Sequence, residues 1–193
     1  FCTDMYIVLL IARILAVANG IKTQIRNQGD AISQKNRSMA IETERKFLVK
    51  KGRLHLPEKG FSTIQGYICS GEYPTVRIRI MGEKGFITIK GKTDKKGLSR
   101  YEWEKEIPVS EAEELLKLCS NGIVRKTRYE ILNSGHLFEV DVFHGLNEGL
   151  IVAEIELSSE DEEFEKPDWL GKEVTLDKRY RNAYLSRIPY SEW

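Results

Sequence analysis

The chain has few of the residues that usually build metal and disulfide sites. It holds three cysteines (Cys2, Cys69 and Cys119) and three histidines among 193 residues. The cysteines are too few and too widely spaced for a disulfide framework or for the paired CxxC ligands of a zinc knuckle. We therefore expect neither of these, nor a histidine-rich metal centre.

An excess of charge of one sign is also missing. Lysine and arginine together number 30, and aspartate and glutamate number 29, which gives a net charge of +1. Such a chain lacks the overall field that draws proteins to nucleic acids or to anionic membranes. We expect neither of these partners, and the distribution of charge along the chain matters more than its sum.

Long apolar runs are scarce, and the first one is interrupted. Residues 6–17 are apolar except for Arg13, and this run is short for a membrane span. Residues 16–18 resemble a signal-peptidase site, but no basic residue precedes the apolar run. We expect residues 1–38 to be an extension and residues 39–193 to form the functional domain. A signal peptide or anchor is the alternative.

The chain does contain a strand with charges at alternate positions, in residues 41–49. Because successive side chains of a strand point to opposite faces, the charges share one face. That face holds Glu42, Glu44 and Lys46. A second strand of this kind is predicted over residues 150–157, where Glu154 and Glu156 share a face. Each buried charge of this kind needs water, a partner or a metal.

Eight strand-like segments follow one another after residue 39. They span residues 41–49, 64–69, 75–80, 86–90, 100–107, 123–132, 137–143 and 150–157. Tight turns join most of them, and no helix is predicted before residue 110, which disfavours a parallel α/β fold. The pattern predicts a β-rich α+β domain: an eight-stranded antiparallel β-barrel with a few flanking helices. Ser110 and Glu113 predict a capping box for one helix, and residues 177–186 predict a closing helix.

The sign of the charge differs from strand to strand. The basic positions are Arg77, Arg79, Lys90, Lys126 and Arg128, and the acidic ones are Glu42, Glu44, Glu102, Glu104, Glu139, Asp141, Glu154 and Glu156. Closing the sheet into a barrel would bring all of them into one lumen and turn the apolar faces outward, where helices would cover them. The alternative is a β-domain whose charged faces are exposed to water.

A lumen with both signs of charge suits a polyanion together with its metal ions. Arginine and lysine neutralise phosphate oxygens, and arginine binds them with two parallel hydrogen bonds. Carboxylates hold magnesium or manganese more readily than zinc. Phosphoryl transfer needs mainly positioning and charge stabilisation, which such a lumen provides.

These motifs resemble those of the CYTH domain, or triphosphate tunnel metalloenzyme, superfamily. Residues 42–46 fit its ExExK signature, and residues 177–180 resemble its C-terminal signature. The other motifs follow in the family's order at residues 77–79, 87–90, 126–129, 139–141 and 154–156. The ExExK pattern alone is weak, but the ordered set is specific, and it extends from Met39 to about Ser186.

The resemblance implies an eight-stranded tunnel that binds a triphosphate. Members of the superfamily include inorganic triphosphatases, thiamine triphosphatases, class IV adenylyl cyclases and fungal RNA triphosphatases. This chain is most similar to the short bacterial enzymes that cleave inorganic tripolyphosphate to diphosphate and phosphate. We expect such a metal-dependent hydrolase, in the cytoplasm, as a monomer or homodimer. The alternatives are an adenylyl cyclase, a thiamine triphosphatase, and a non-catalytic module that binds polyphosphate or nucleotide.

The resemblance also implies roles for individual residues. Ligands of Mg²⁺ or Mn²⁺ would be Glu42, Glu44, Glu154 and Glu156, and by extension Asp141 and Glu139. Phosphate ligands would be Lys46, Arg77, Arg79, Lys90, Lys126 and Arg128. Further candidates are Glu102 and Glu104, which could hold basic side chains in place, and Lys178 and Arg179, which could close a tunnel mouth. Tyr67, Trp103 and Tyr129 are interpreted as packing residues.

Overall fold

The computed structural model describes residues 40–69, 74–93, 99–159 and 161–193. The expected extension over residues 1–38 lies outside these ranges. The strands are β1 (Ala40–Val49), β2 (Phe61–Cys69), β3 (Thr75–Met81), β4 (Lys84–Thr93), β5 (Ser99–Ile107), β6 (Val124–Asn133), β7 (His136–His144), β8 (Ile151–Leu157) and β9 (Leu170–Glu173). The α-helices are α1 (Val109–Leu116) and α2 (Asn182–Leu185), and 3-10 turns occupy Gly145–Asn147, Lys178–Tyr180 and Tyr190–Glu192. In the described ranges no helix is both long and apolar enough to cross a membrane.

All strand pairs are antiparallel, and eight strands pair in a ring. The order is β5-β4-β3-β2-β6-β7-β8-β1-β9, and β1 pairs in addition with β5. That seam is short, because only residues 40–43 pair with residues 99–102. The antiparallel, barrel-like sheet predicted from the sequence is therefore confirmed. Strand β9, which the sequence did not predict, pairs with β1 at Phe47 and Val49.

The outward face of β2, β3 and β4 packs against helix α1. Ile78 in the middle of β3 and Ala112 in α1 are both fully buried. A side chain at Gly85 would meet the Ala112 Cβ at 2.9 Å, so this glycine allows the helix to approach the sheet closely. The expected covering of an apolar outer face by a helix holds for this side of the ring.

The outward face of β7, β8 and β1 is covered differently. Its core consists of Phe47, Phe138, Val140, Ala153, Ile155, Leu157 and Leu170. The cover is the non-helical segment after β8, whose Phe164 ring lies 5.8 Å from that of Phe47 and 5.9 Å from that of Phe138. The expectation of helices on this side was wrong, because edge-to-face aromatic contacts bury the sheet without a helix.

A second apolar cluster fills one end of the ring's interior. It consists of Val124, Phe143, Leu150, Val152 and Leu185, with Leu48 and Tyr180 packed against it. Val124 is two residues from Lys126, and Phe143 is paired opposite Lys126, so these side chains share the charged inner face. Leu185 comes from α2, after the last strand. We call this cluster the apolar plug.

Two details of the predicted helices differ from the structure. Helix α1 begins at Val109, and its N-cap is Pro108 with no side-chain hydrogen bond. The predicted capping box therefore does not form, because the chain turns into the helix directly after β5 and Ser110 already lies inside it. The closing helix is broken into a 3-10 turn and the four-residue α2, because the backbone of Arg181 between them is extended (φ −78°, ψ 132°).

Removing a side chain from the apolar plug should destabilise the domain. Leu185 is 1% exposed, so Leu185→Ala should lower the free energy of unfolding by about 2–5 kcal/mol. The matched control is Leu176→Ala, nearby in sequence but 66% exposed, which should change it by less than about 0.5 kcal/mol. Chemical denaturation measures both. Equal effects of the two substitutions would show that the plug is not a packed core.

Candidate active site

The inner face of β1 and β8 carries alternating charges in register. Glu44 is paired opposite Glu156, and Lys46 opposite Glu154. Lys46 and Glu154 are buried, whereas Glu156 is exposed at the end of β8 away from the plug. Glu42 continues the series towards β5, but its side chain lies outside the described part of the structure.

Lys46 joins these two strands through its ammonium group. Its Nζ donates hydrogen bonds to Glu44 and to Glu154. Burial acts to lower the pKa of Lys46, but the charges of Glu154 and Glu44 outweigh burial and raise the pKa above its ordinary value. Burial acts to raise the pKa of Glu154, but Lys46 and Arg128 hold it well below its ordinary value. Both groups are therefore charged at neutral pH.

Strands β6 and β7 contribute a second paired group around Asp141. Its side chain is fully buried and accepts two hydrogen bonds from Arg128, from Nε at 2.8 Å and from the terminal nitrogen at 2.7 Å. Lys126 also donates to Asp141, and Arg128 reaches Glu139 and, at 3.2 Å, Glu154. The predicted metal ligands on these strands are thus held by predicted phosphate ligands.

Lys126 lies deepest among the basic residues, at 2% exposure beside the plug. Its Nζ is 5.7 Å from the centre of the Phe143 ring. Burial and the neighbouring Arg128 charge lower the pKa of Lys126 to about 8, although Asp141 acts in the opposite direction. Burial and Arg77 likewise lower the pKa of Arg79 to about 10, which leaves that guanidinium charged at neutral pH.

The opposite wall of the lumen is built by β3, β4 and β5. The Glu104 carboxylate accepts hydrogen bonds from Arg77 at 3.1 Å, Arg79 at 3.0 Å and Thr88 at 2.7 Å. Lys90 donates to Glu102 in the same way. Two guanidinium groups on alternate residues of β3 therefore share one carboxylate as acceptor. The positioning role of Glu104 stays a prediction.

Two polar residues of β2 complete the wall. Sequence reasoning missed Gln65 and interpreted Tyr67 as a packing residue. Gln65 is paired opposite Arg79, and Tyr67 opposite Arg77, so both belong to the charged inner face. Gln65 is fully buried and donates a hydrogen bond from Nε2 to the Tyr67 hydroxyl at 2.8 Å. Their i, i+2 spacing was the available signal, but neither residue carries a charge. Tyr67 is thus a polar partner as well as a packing residue.

The predicted residues of the C-terminal signature lie elsewhere. Lys178 and Arg179 are exposed in the 3-10 turn beside the plug. The Arg179 guanidinium donates to Asp177 at 2.7 Å and lies 5.2 Å from the centre of the Trp193 ring. Within the described residues, the structure does not bring Lys178 and Arg179 together with the charged lumen residues named above. The turn that carries them precedes α2, and its Tyr180 packs against the plug.

No group of three or more carboxylates, histidines or cysteines is arranged to hold a metal ion among the described residues. The donor chemistry nevertheless fits a divalent cation. Glu44 and Glu156 stand opposite one another, as do Glu139 and Glu154, on three neighbouring strands. Carboxylate oxygens are the ligands that hard cations prefer. In this arrangement Lys46 and Arg128 occupy the carboxylates that a cation would use.

Comparison with known proteins agrees with this fold and charge pattern. The CYTH domain family model matches residues 40–189. The chain belongs to the CYTH domain family. An inorganic triphosphatase of Acetivibrio thermocellus is 45% identical, over 80% of this chain and 99% of the relative. One of Nitrosomonas europaea is 42% identical, over 75% of this chain and 96% of the relative.

A solved structure supports the same relationship. The crystal structure of the inorganic triphosphatase NE1496 matches with a TM-score of 0.55 and 36% sequence identity. The match covers 76% of this chain and 95% of that one. The CYTH chain thus spans nearly the whole length of these relatives, and its charged lumen lies within the matched region.

The lowered pKa of Lys126 predicts a pH-dependent contribution to stability. Between pH 8 and 10.5 the unfolded chain binds a proton at Lys126 that the folded chain has released, so the stability of the folded state rises with pH. The difference in unfolding free energy between the wild type and Lys126→Met should rise by up to about 1.4 kcal/mol per pH unit in this window. Denaturation at several pH values measures it. Lys105→Met, at an exposed position of β5, controls for the loss of one charge. If the unfolding free energies of the wild type and of Lys126→Met change with pH in parallel, the prediction is contradicted.

Proposed function

We propose that this CYTH chain is a metal-dependent triphosphatase that cleaves inorganic triphosphate to diphosphate and phosphate. The observation that carries the proposal is the concentration of buried cations on one inner face. Lys46, Arg77, Arg79, Lys126 and Arg128 are each at most 9% exposed. Burying so many like charges is costly unless negative charge lies close to them. Carboxylates supply that charge in the free protein, and a triphosphate is a compact anion with enough charge to replace them.

The free protein balances these cations with its own carboxylates. Each basic side chain of the lumen contacts at least one glutamate or aspartate. A triphosphate that enters would take over the basic partners, and the released carboxylates would then need positive charge. A divalent cation supplies that charge, so substrate and cation are expected to bind together.

Individual residues have separate roles in this scheme. Arg77 and Arg79 present planar guanidinium groups that match phosphate oxygens, and Glu104 keeps them in position. Lys46, Lys126 and Arg128 neutralise charge from the opposite wall. Charge that develops on the phosphate oxygens during cleavage would meet donors already in place, which is the main requirement of phosphoryl transfer.

The cation would be held by Glu44, Glu154 and Glu156, together with Glu42. Oxygen ligands of this type favour Mg²⁺ or Mn²⁺. When bound, such a cation neutralises phosphate oxygens and makes water more acidic. Lys46 must then turn from the carboxylates towards the substrate, so Lys46 would couple binding of the metal to binding of the triphosphate.

The substrate is best assigned as inorganic triphosphate. Two curated relatives at 42–45% identity are named inorganic triphosphatase. The assay should compare phosphate release from tripolyphosphate, ATP and thiamine triphosphate by the full chain, each with Mg²⁺ and with Mn²⁺. Preferential release from tripolyphosphate supports the proposal. Formation of cyclic AMP from ATP would instead support an adenylyl cyclase. Binding of tripolyphosphate or ATP without turnover would support a non-catalytic binding module.

Loss of one lumen arginine should impair turnover far more than loss of a surface arginine. Arg79→Ala should lower kcat/KM for tripolyphosphate by about 100- to 1,000-fold, because it removes a fixed cation from the phosphate site. The matched control is Arg125→Ala, on the exposed outer side of β6, which should stay near the wild type. Steady-state kinetics with both variants measures the difference. An Arg79→Ala enzyme with wild-type kcat/KM would show that Arg79 does not belong to the phosphate site.

Removal of metal should abolish activity reversibly. After dialysis against a chelator the chain should release no phosphate from tripolyphosphate, and added Mg²⁺ or Mn²⁺ should restore the rate. Glu154→Gln should weaken the restoring effect of either ion, because it removes a carboxylate oxygen from the cation site. Full activity in the presence of excess chelator would contradict a metal-dependent mechanism.

A further inference from the structure

Two polar atoms on neighbouring strands are buried and lack partners. Within the described part of the chain, Gln65 Oε1 and Arg79 Nε have no hydrogen bond. Gln65 on β2 is paired directly opposite Arg79 on β3. Residues in this relation have Cβ atoms roughly 5 Å apart on the same face. An acceptor and a donor without hydrogen bonds therefore belong to directly paired residues of the lumen wall.

The remaining polar atoms of both side chains are engaged. Gln65 donates from Nε2 to the Tyr67 hydroxyl at 2.8 Å. Arg79 donates from a terminal nitrogen to Glu104 at 3.0 Å, and its guanidinium lies 5.2 Å from the centre of the Phe86 ring. These contacts fix both side chains, so the two partnerless atoms are held in place. Buried polar atoms of this kind generally bind something.

The pair selects its occupant by hydrogen-bond chemistry. An occupant that contacts both atoms has to donate a hydrogen bond to Gln65 Oε1 and accept one from the Arg79 Nε–H group. A fully ionised phosphate oxygen can only accept, and a metal cation can only bind the Gln65 oxygen. A water molecule does both, and it keeps a second lone pair free.

The position of the pair relates this water to the reaction. Gln65 is also paired opposite Val124, a member of the apolar plug, so the site lies at the closed end of the lumen. At the opposite end of the charged face Glu130 and Glu156 are exposed. A triphosphate that enters there places one terminal phosphorus inward and the rest of the molecule outward. In-line displacement requires the attacking water on the inward side, next to the plug.

We propose that Gln65, together with Arg79 Nε, positions the water that attacks the inner terminal phosphorus. The inference rests on the proposed triphosphatase function. The water oxygen forms the new bond to phosphorus, while the bond from that phosphorus to the bridging oxygen breaks and leaves its electron pair on diphosphate. The Gln65 oxygen orients the water but takes no proton. Both water protons end on the phosphate product, so that triphosphate(5−) and water give diphosphate(4−) and dihydrogen phosphate(1−).

The experiment compares substitutions of Gln65 in the full chain with tripolyphosphate as substrate. Gln65→Leu removes the acceptor, so kcat should fall about 100-fold, as for loss of a group that orients a proton in the transition state. KM should stay unchanged, because the residue contacts the water and not the phosphates. Gln65→Glu keeps an oxygen in place and should retain most of kcat, with a higher KM from its added negative charge.

The matched control is Thr63→Val, on the same strand and the same face. Thr63 is 1% exposed, but its hydroxyl already donates to the Phe61 carbonyl at 3.3 Å. This variant should keep the wild-type kcat. If Gln65→Leu does not fold, Gln65→Asn replaces it. The shorter side chain of Gln65→Asn moves the amide oxygen away from the water, so kcat should fall in this variant. In Gln65→Glu kcat should not fall to the same extent.

The outcomes separate this inference from the proposed function. A wild-type chain that cleaves no triphosphate would refute the function itself. An active wild type with wild-type kcat in Gln65→Leu would overturn the inference and leave the triphosphatase standing. A raised KM with unchanged kcat would also overturn it, since Gln65 would then bind substrate rather than water. Equal losses of kcat in Gln65→Asn and Gln65→Glu would do the same.

Discussion

The structure depends on the pairing of opposite charges inside a ring of strands. Asp141, Glu154, Lys46 and Arg128 are almost completely buried, and an isolated charge there would be very costly. Each is instead joined to charges of the opposite sign from a neighbouring strand. The same pairing that makes the free protein stable keeps the cations charged and fixed in position, ready for an anion that enters the lumen.

The apolar parts of the fold keep this charged layer in place. Phe47 and Phe138 anchor one outer face, helix α1 covers another, and the apolar plug closes one end of the lumen. The plug brings low polarity close to Lys126, which accounts for the lowered pKa of that residue. Because the plug fills this end, we expect a triphosphate to enter from the opposite end, where Glu130 and Glu156 are exposed.

Much of the fold could be predicted from the sequence because its strands have two different faces. Alternation of Arg77 and Arg79 with Ile78 identifies the strand and separates its charged inner face from its apolar outer face. Chain-local patterns could not predict β9 or the covering role of Phe164, since both depend on contacts with distant strands. Gln65 was missed because its i, i+2 spacing with Tyr67 involves no charge and so does not stand out from other strand positions. Its importance comes from the atoms that stand opposite it.

The proposed function requires that the buried cations bind a triphosphate for hydrolysis. Phosphorus-31 NMR of tripolyphosphate incubated with the full chain and Mg²⁺ tests this by following substrate and products together. We expect that the tripolyphosphate signals disappear and that diphosphate and phosphate form in equal amounts. Unchanged tripolyphosphate with both Mg²⁺ and Mn²⁺, under conditions where the chain is folded, would contradict it.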